Sequence, residues 1–105
     1  MEKDRRSAPR ARVKLPARWE GVLSREKATV TDISRNGCFV LTGGKVEPKE
    51  LVRLEIEAPE GEPFVLWAEV VEAAFEIGFA VRFTSMTDDD ELRLGRFIHA
   101  SLQKS

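Results

Sequence analysis

The stretch Lys27–Thr42, KATVTDISRNGCFVLT, decides how this chain folds. It reads as two strands, Lys27–Thr31 and Cys38–Thr42, joined through Asp32-Ile33-Ser34-Arg35-Asn36-Gly37. If the first strand runs on to Ser34, its side chains alternate between faces. Asp32 and Ser34 then stand on one face, and Ile33 points the other way into apolar packing. Asn36-Gly37 is a turn dipeptide in which both residues tolerate positive φ. A carboxylate and a hydroxyl are thus set on a strand end beside a turn of little side-chain bulk, which suits a ligand lying close to backbone. The same residues also read as a plain hairpin with an exposed Asp and Ser, since short motifs match by chance.

On either side the two-residue period continues. Val13, Leu15, Ala17 and Trp19 alternate with Lys14, Pro16, Arg18 and Glu20, and Pro16 predicts an edge or bulged position. Gly21–Glu26 reads as a polar loop, and Gly43-Gly44 with Pro48 marks a longer connection. Val52, Leu54 and Ile56 alternate with Arg53, Glu55 and Glu57. After a turn at Pro59, Gly61 and Pro63, Phe64, Leu66, Ala68 and Val70 alternate with Val65, Trp67, Glu69 and Val71, so both faces of that strand are expected to be partly covered. Ile77, Phe79, Val81 and Phe83 form the sixth run. Six strands at short, even spacing mean an antiparallel barrel or sandwich.

The period then changes. Thr87-Asp88-Asp89-Asp90-Glu91 supplies an N-cap and acids for a helix N-terminus. Leu94, Phe97, Ile98 and Leu102 fall on one face of a helix spanning 88–103, expected to lie across an end or flank of the β structure. The acid run matches no calcium loop, and one histidine, His99, cannot build a zinc site. No metal, cofactor, nucleophile or acid–base pair is indicated, so an enzyme is not expected. Trp19 and Trp67 read as core or rim packing, and Cys38 as a small buried residue.

At 105 residues the chain holds one core. Its net charge of −1 argues against bulk attraction to nucleic acid or to an anionic membrane. A single cysteine excludes an internal disulfide and favours a reducing cytoplasm. There is no apolar run of membrane-spanning length and no apolar N-terminal segment of the kind a secretion signal carries.

The charge is uneven. Residues 1–12, MEKDRRSAPRAR, carry Arg5, Arg6, Arg10 and Arg12 with almost no apolar side chain. Such a segment cannot offset its own ordering entropy. It reads as a flexible basic arm before a single domain over 13–105, awaiting an anion or simply fraying in solvent.

Arm and turn together form a pattern. Arg6 and Arg10 have the spacing Arg-x-x-x-Arg, and Asp32-x-Ser34-x-x-Gly37 follows after one strand and one loop. This resembles the PilZ family, whose signature is those two motifs on a six-stranded antiparallel β-barrel with a C-terminal helix. The resemblance implies a mainly β fold of that design and a receptor for the bacterial second messenger cyclic di-GMP. Arg5, Arg6 and Arg10 would take phosphates bidentately, stack on bases and match the O6 and N7 acceptors of guanine. Asp32 would accept from guanine N1–H and N2–H₂, Ser34 would bond a phosphate or base edge, and Gly37 would let the ligand approach the backbone. Arg5, directly before Arg6, resembles receptors that take the ligand as an intercalated dimer. Signalling would proceed by ordering of the arm over the ligand and through a separate, unidentified downstream protein.

Two other readings stand beside this one. A degenerate PilZ-like adaptor would bind protein and no nucleotide. A small barrel binding RNA or single-stranded DNA would use the arm and aromatics, against which the near-neutral charge counts.

Overall fold

The computed structural model describes residues 9–74 and 76–103. Six strands, β1 (Ala11–Glu20), β2 (Arg25–Ile33), β3 (Gly37–Leu41), β4 (Leu51–Ile56), β5 (Phe64–Ala74) and β6 (Gly78–Ser85), precede one helix, α1 (Asp88–Gln103). They form a closed antiparallel barrel in the order β1-β2-β3-β6-β5-β4. β1 starts at Ala11, so Ala11 and Arg12 belong to the barrel rather than to the arm.

Closure follows from the period-two apolar pattern. Leu15, Ala17, Trp19, Val30, Val40, Val52, Leu54, Ile56, Leu66, Val70 and Phe79 all turn inward and are buried. Trp19 fills the interior, its ring meeting Phe79 edge-on at 5.0 Å between centroids. Its indole Nε1–H donates to Thr42 Oγ1 at 3.1 Å, satisfying the one polar group it carries inward. Trp67, by contrast, stands half exposed on the outer face of β5 with Val65 and Val71. That face is only partly covered, as expected, while the inner row of the strand is fully buried.

Pro16 is not in a bulge; it stands at the end of the β1–β4 ladder, which begins at Ala17, so its β4 side is a local edge even though the barrel as a whole is closed. A closed barrel has no edge strand. A strand residue's N and C=O point to the same neighbour, and the Pro16 carbonyl accepts from Glu57 N–H at 2.9 Å, just beyond the last β4 residue that pairs with β1, Ile56. The missing donor therefore forfeits only the reciprocal bond of this terminal pair, where the β1–β4 ladder runs out. The irregularity in β1 lies earlier, between Arg12 and Leu15.

α1 begins as its sequence dictates. Thr87 Oγ1 accepts the Asp90 backbone N–H at 3.1 Å, and four acids fill the first turn. Leu94 and Ile98 are buried in the core and Phe97 packs on Phe64, while Leu102, near the helix end, is 38% exposed. Arg93 ties the helix down. It donates to Asp90 Oδ1 at 2.8 Å and to the Glu62 carbonyl, and its guanidinium lies 4.5 Å from the Phe64 ring centre. No described helix is long and apolar enough to cross a membrane.

Candidate functional site

Strict alternation in β2 would place Val30 and Asp32 on the same face. The structure avoids this with a register shift between Val30 and Asp32. Thr31 is the extra residue, so Val30 and Ile33 both face the core and Asp32 faces out. Bulges commonly re-aim side chains beside sites, and here the bulge aims a carboxylate. Asp32 is directly opposite Arg12 on β1 and Phe39 on β3, and makes no ion pair with another described residue.

β2 ends at Ile33, so Ser34 belongs to the turn and not to the strand. Its backbone N–H donates to the Gly37 carbonyl at 2.8 Å. Its hydroxyl oxygen accepts the N–H groups of Asn36 at 3.1 Å and Gly37 at 3.3 Å, and donates to the Gly37 carbonyl at 3.4 Å. The turn closes on this side chain, which is buried. Neither Asn36 nor Gly37 has positive φ, so the turn is not of the left-handed type their pairing suggests. Gly37 is required for another reason: a Cβ there would lie 2.1 Å from the Val81 carbonyl oxygen on β6.

The turn opens onto a groove of about 570 Å³ on the outside of the barrel. Arg10, Asp32, Ser34 and Gly37 all border it, with Phe39, Ala80 and Arg82. Outward positions along β3 and β6 explain the hollow. Gly37 pairs with Arg82 and Phe39 with Ala80, so small residues alternate with large ones across the ladder. Val71, left unpaired by a register shift between Val70 and Glu72, closes one side. Asp32 also borders a second hollow of about 620 Å³ beside Arg12 and Lys14.

Of the residues singled out from sequence, Arg10, Asp32, Ser34 and Gly37 are brought together. Arg5 and Arg6 lie outside the described residues. Arg12, Phe39, Val71 and Arg82 were not singled out. Arg12 was visible as one more arginine of the basic segment; the other three depend on strand order and bulges. Cys38 is buried as expected, and burial pushes its thiol pKa well above the ordinary value. Among the described residues no cluster of three or more His, Cys, Asp or Glu side chains offers a metal site.

The arrangement holds one carboxylate between cations on a groove with an apolar floor. Chemically, such a groove can take a ligand with both negative charge and hydrogen-bond donors. A family model described as the PilZ domain matches residues 4–100, and the chain belongs to that family. PilZ domains are cyclic di-GMP receptors and adaptors. No curated protein matches the sequence. Among solved structures, the inhibitor of motility of Bacillus subtilis is similar with a TM-score of 0.85 at 18% identity, over 96% of this chain and 52% of that one. The PilZ domain of YcgR from Escherichia coli, solved with cyclic di-GMP, has a TM-score of 0.77 at 15% identity, over 95% of this chain and 93% of that one. The PilZ domain of CeSA from a cellulose-synthesizing bacterium has a TM-score of 0.68 at 18% identity, over 88% and 96%. These likenesses confirm the fold. The chain spans about half the length of the B. subtilis protein.

Proposed function

We propose that this chain is a cytoplasmic cyclic di-GMP receptor that passes its signal to a separate protein. The observation that carries this reading is that Arg10 and Asp32, far apart in sequence, border one groove beside the Ser34–Gly37 turn. Cyclic di-GMP presents two phosphates and two guanines. Arg5, Arg6 and Arg10 supply fork-shaped cations for phosphate and for the O6 and N7 edge of guanine. Asp32, without an ion-pair partner among the described residues, accepts from guanine N1–H and N2–H₂. The weakest bond of the Ser34 hydroxyl, 3.4 Å to the Gly37 carbonyl, is the one a ligand acceptor replaces; the two N–H bonds it accepts keep the turn closed. Phe39 and Val71 give a base an apolar surface to lie on.

Arginines before β1 and groups on β2 then grip one ligand from two sides, so binding orders residues 1–10 over the groove. The ordered segment plus nucleotide is the surface a downstream protein reads. Arg5 beside Arg6 supports an intercalated dimer of the ligand. Calorimetric titration with cyclic di-GMP tests the reading. Saturable binding with a stoichiometry near two per chain is expected, and heats no greater than dilution would leave a PilZ adaptor that binds no nucleotide.

A further inference from the structure

Arg82 is placed as none of the sequence motifs is. It stands outward on β6, directly opposite Gly37 on β3 and opposite Glu69 on β5. On one side its neighbour has no side chain; on the other its neighbour is a carboxylate, with which it forms an ion pair. With Asn36 it borders both the groove and an adjoining hollow of about 490 Å³ that Arg35 and Glu91 also line. It is therefore a cation on the wall of the groove, across from Asp32 and Arg10, with its guanidinium turned toward Glu69.

We propose that Arg82 is a further contact for the anionic part of the ligand, held back by Glu69 until ligand arrives. This rests on the receptor reading and adds a residue and a competitor to it. The Glu69 side chain is 26% exposed and that of Arg82 60%, so the carboxylate is the fixed post and the arginine is the part with room to move. An exposed pair of this kind holds its partners weakly. A phosphate offers the guanidinium the same fork geometry with full charge. Gly37 puts no side chain beside Arg82, and β6 backbone packs directly against it, so the only side chain of that cross-strand pair is the arginine's. Ligand and Glu69 compete for one guanidinium, so Glu69 lowers affinity and Arg82 raises it.

The test is calorimetric titration of cyclic di-GMP into the wild type, Arg82→Gln, Glu69→Gln and the double variant, with melting curves to establish folding. Arg82→Gln is expected to weaken binding about tenfold or more, the effect of losing charge-assisted hydrogen bonds. Glu69→Gln is expected to tighten it about two- to fivefold, the worth of an exposed ion pair. In the Arg82→Gln background the Glu69 substitution is expected to change nothing. Unchanged affinity in Arg82→Gln overturns the proposal while leaving the receptor reading standing. So does a Glu69 effect that persists without Arg82, because that is plain repulsion between a carboxylate and an anion. Failure of the wild type to bind overturns both. Should Arg82→Gln not fold, Glu69→Gln decides alone: affinity no tighter than wild type refutes the competition.

Discussion

Ser34 and Gly37 close the β2–β3 turn between them: the Gly37 N–H donates to the Ser34 hydroxyl at 3.3 Å while the Ser34 N–H donates to the Gly37 carbonyl at 2.8 Å. A side-chain oxygen thus stands where a hairpin would ordinarily use a carbonyl. Ser34→Ala leaves the Asn36 and Gly37 N–H groups without this acceptor. A cost of about 1 kcal/mol is expected, as for a lost hydroxyl cap. Melting of the ligand-free variant should therefore fall by several degrees. A ligand-only role for Ser34 predicts no change.

Gly37→Ala should destabilise the ligand-free protein more than Ser34→Ala. Its methyl would meet the Val81 carbonyl oxygen at 2.1 Å, a contact with backbone that cannot swing away. Pushing β3 from β6 costs about 1–3 kcal/mol, the range for overpacking. Urea unfolding at fixed pH measures it, and a midpoint equal to the wild type's would contradict the geometry.

Asp32→Ala should leave stability nearly unchanged, because the carboxylate has no ion-pair partner among the described residues and its outward position follows from the Thr31 bulge. It should weaken cyclic di-GMP more than cyclic di-AMP, since guanine offers the carboxylate two adjacent donors, N1–H and N2–H₂, where adenine has only its N6 amine. The ratio of the two dissociation constants, measured for wild type and variant, reports this directly. An unchanged ratio would mean that Asp32 does not read the base.

Cys38 is neutral in the fold and freer to ionise when unfolded. Burial raises its folded pKa above the unfolded value near 8.5. At higher pH the unfolded state then binds fewer protons than the native one, so this group costs stability as pH rises above about 8.5, up to about 1.4 kcal/mol per pH unit. Thiol labelling at pH 8 should be slow in the native protein and fast in urea. A Cys38→Ser variant would replace the thiol in a buried place, so Cys38→Ala is the variant whose stability should lose this pH slope.

The barrel was legible because its inner row is strictly periodic: Leu15, Ala17 and Trp19 or Leu66, Ala68 and Val70 admit no other reading of their strands. The helix was legible from Thr87, the acids after it and the Leu94–Ile98 spacing. Bulges were not, since Thr31 and Val71 look like ordinary strand residues until the partner strand fixes the count. Arg10, Asp32, Ser34 and Gly37 could be read from motif spacing. Arg82 and Phe39 could not, because β3 pairs with β6 across a long stretch of sequence, and only that pairing puts them on the groove. Ile77 misled the pattern: it sits in the turn before β6 and is exposed, its carbonyl accepting from Thr42 N–H at 3.0 Å.

The most direct test of the receptor assignment is a map of backbone amide shifts during titration with cyclic di-GMP. The account predicts saturable shifts at Arg10, Asp32, Gly37, Phe39, Ala80 and Arg82, and loss of all of them in Arg10→Ala at the same ligand concentration. Shifts that do not saturate, or that centre on another surface such as the exposed Val22-Leu23 loop, would contradict it.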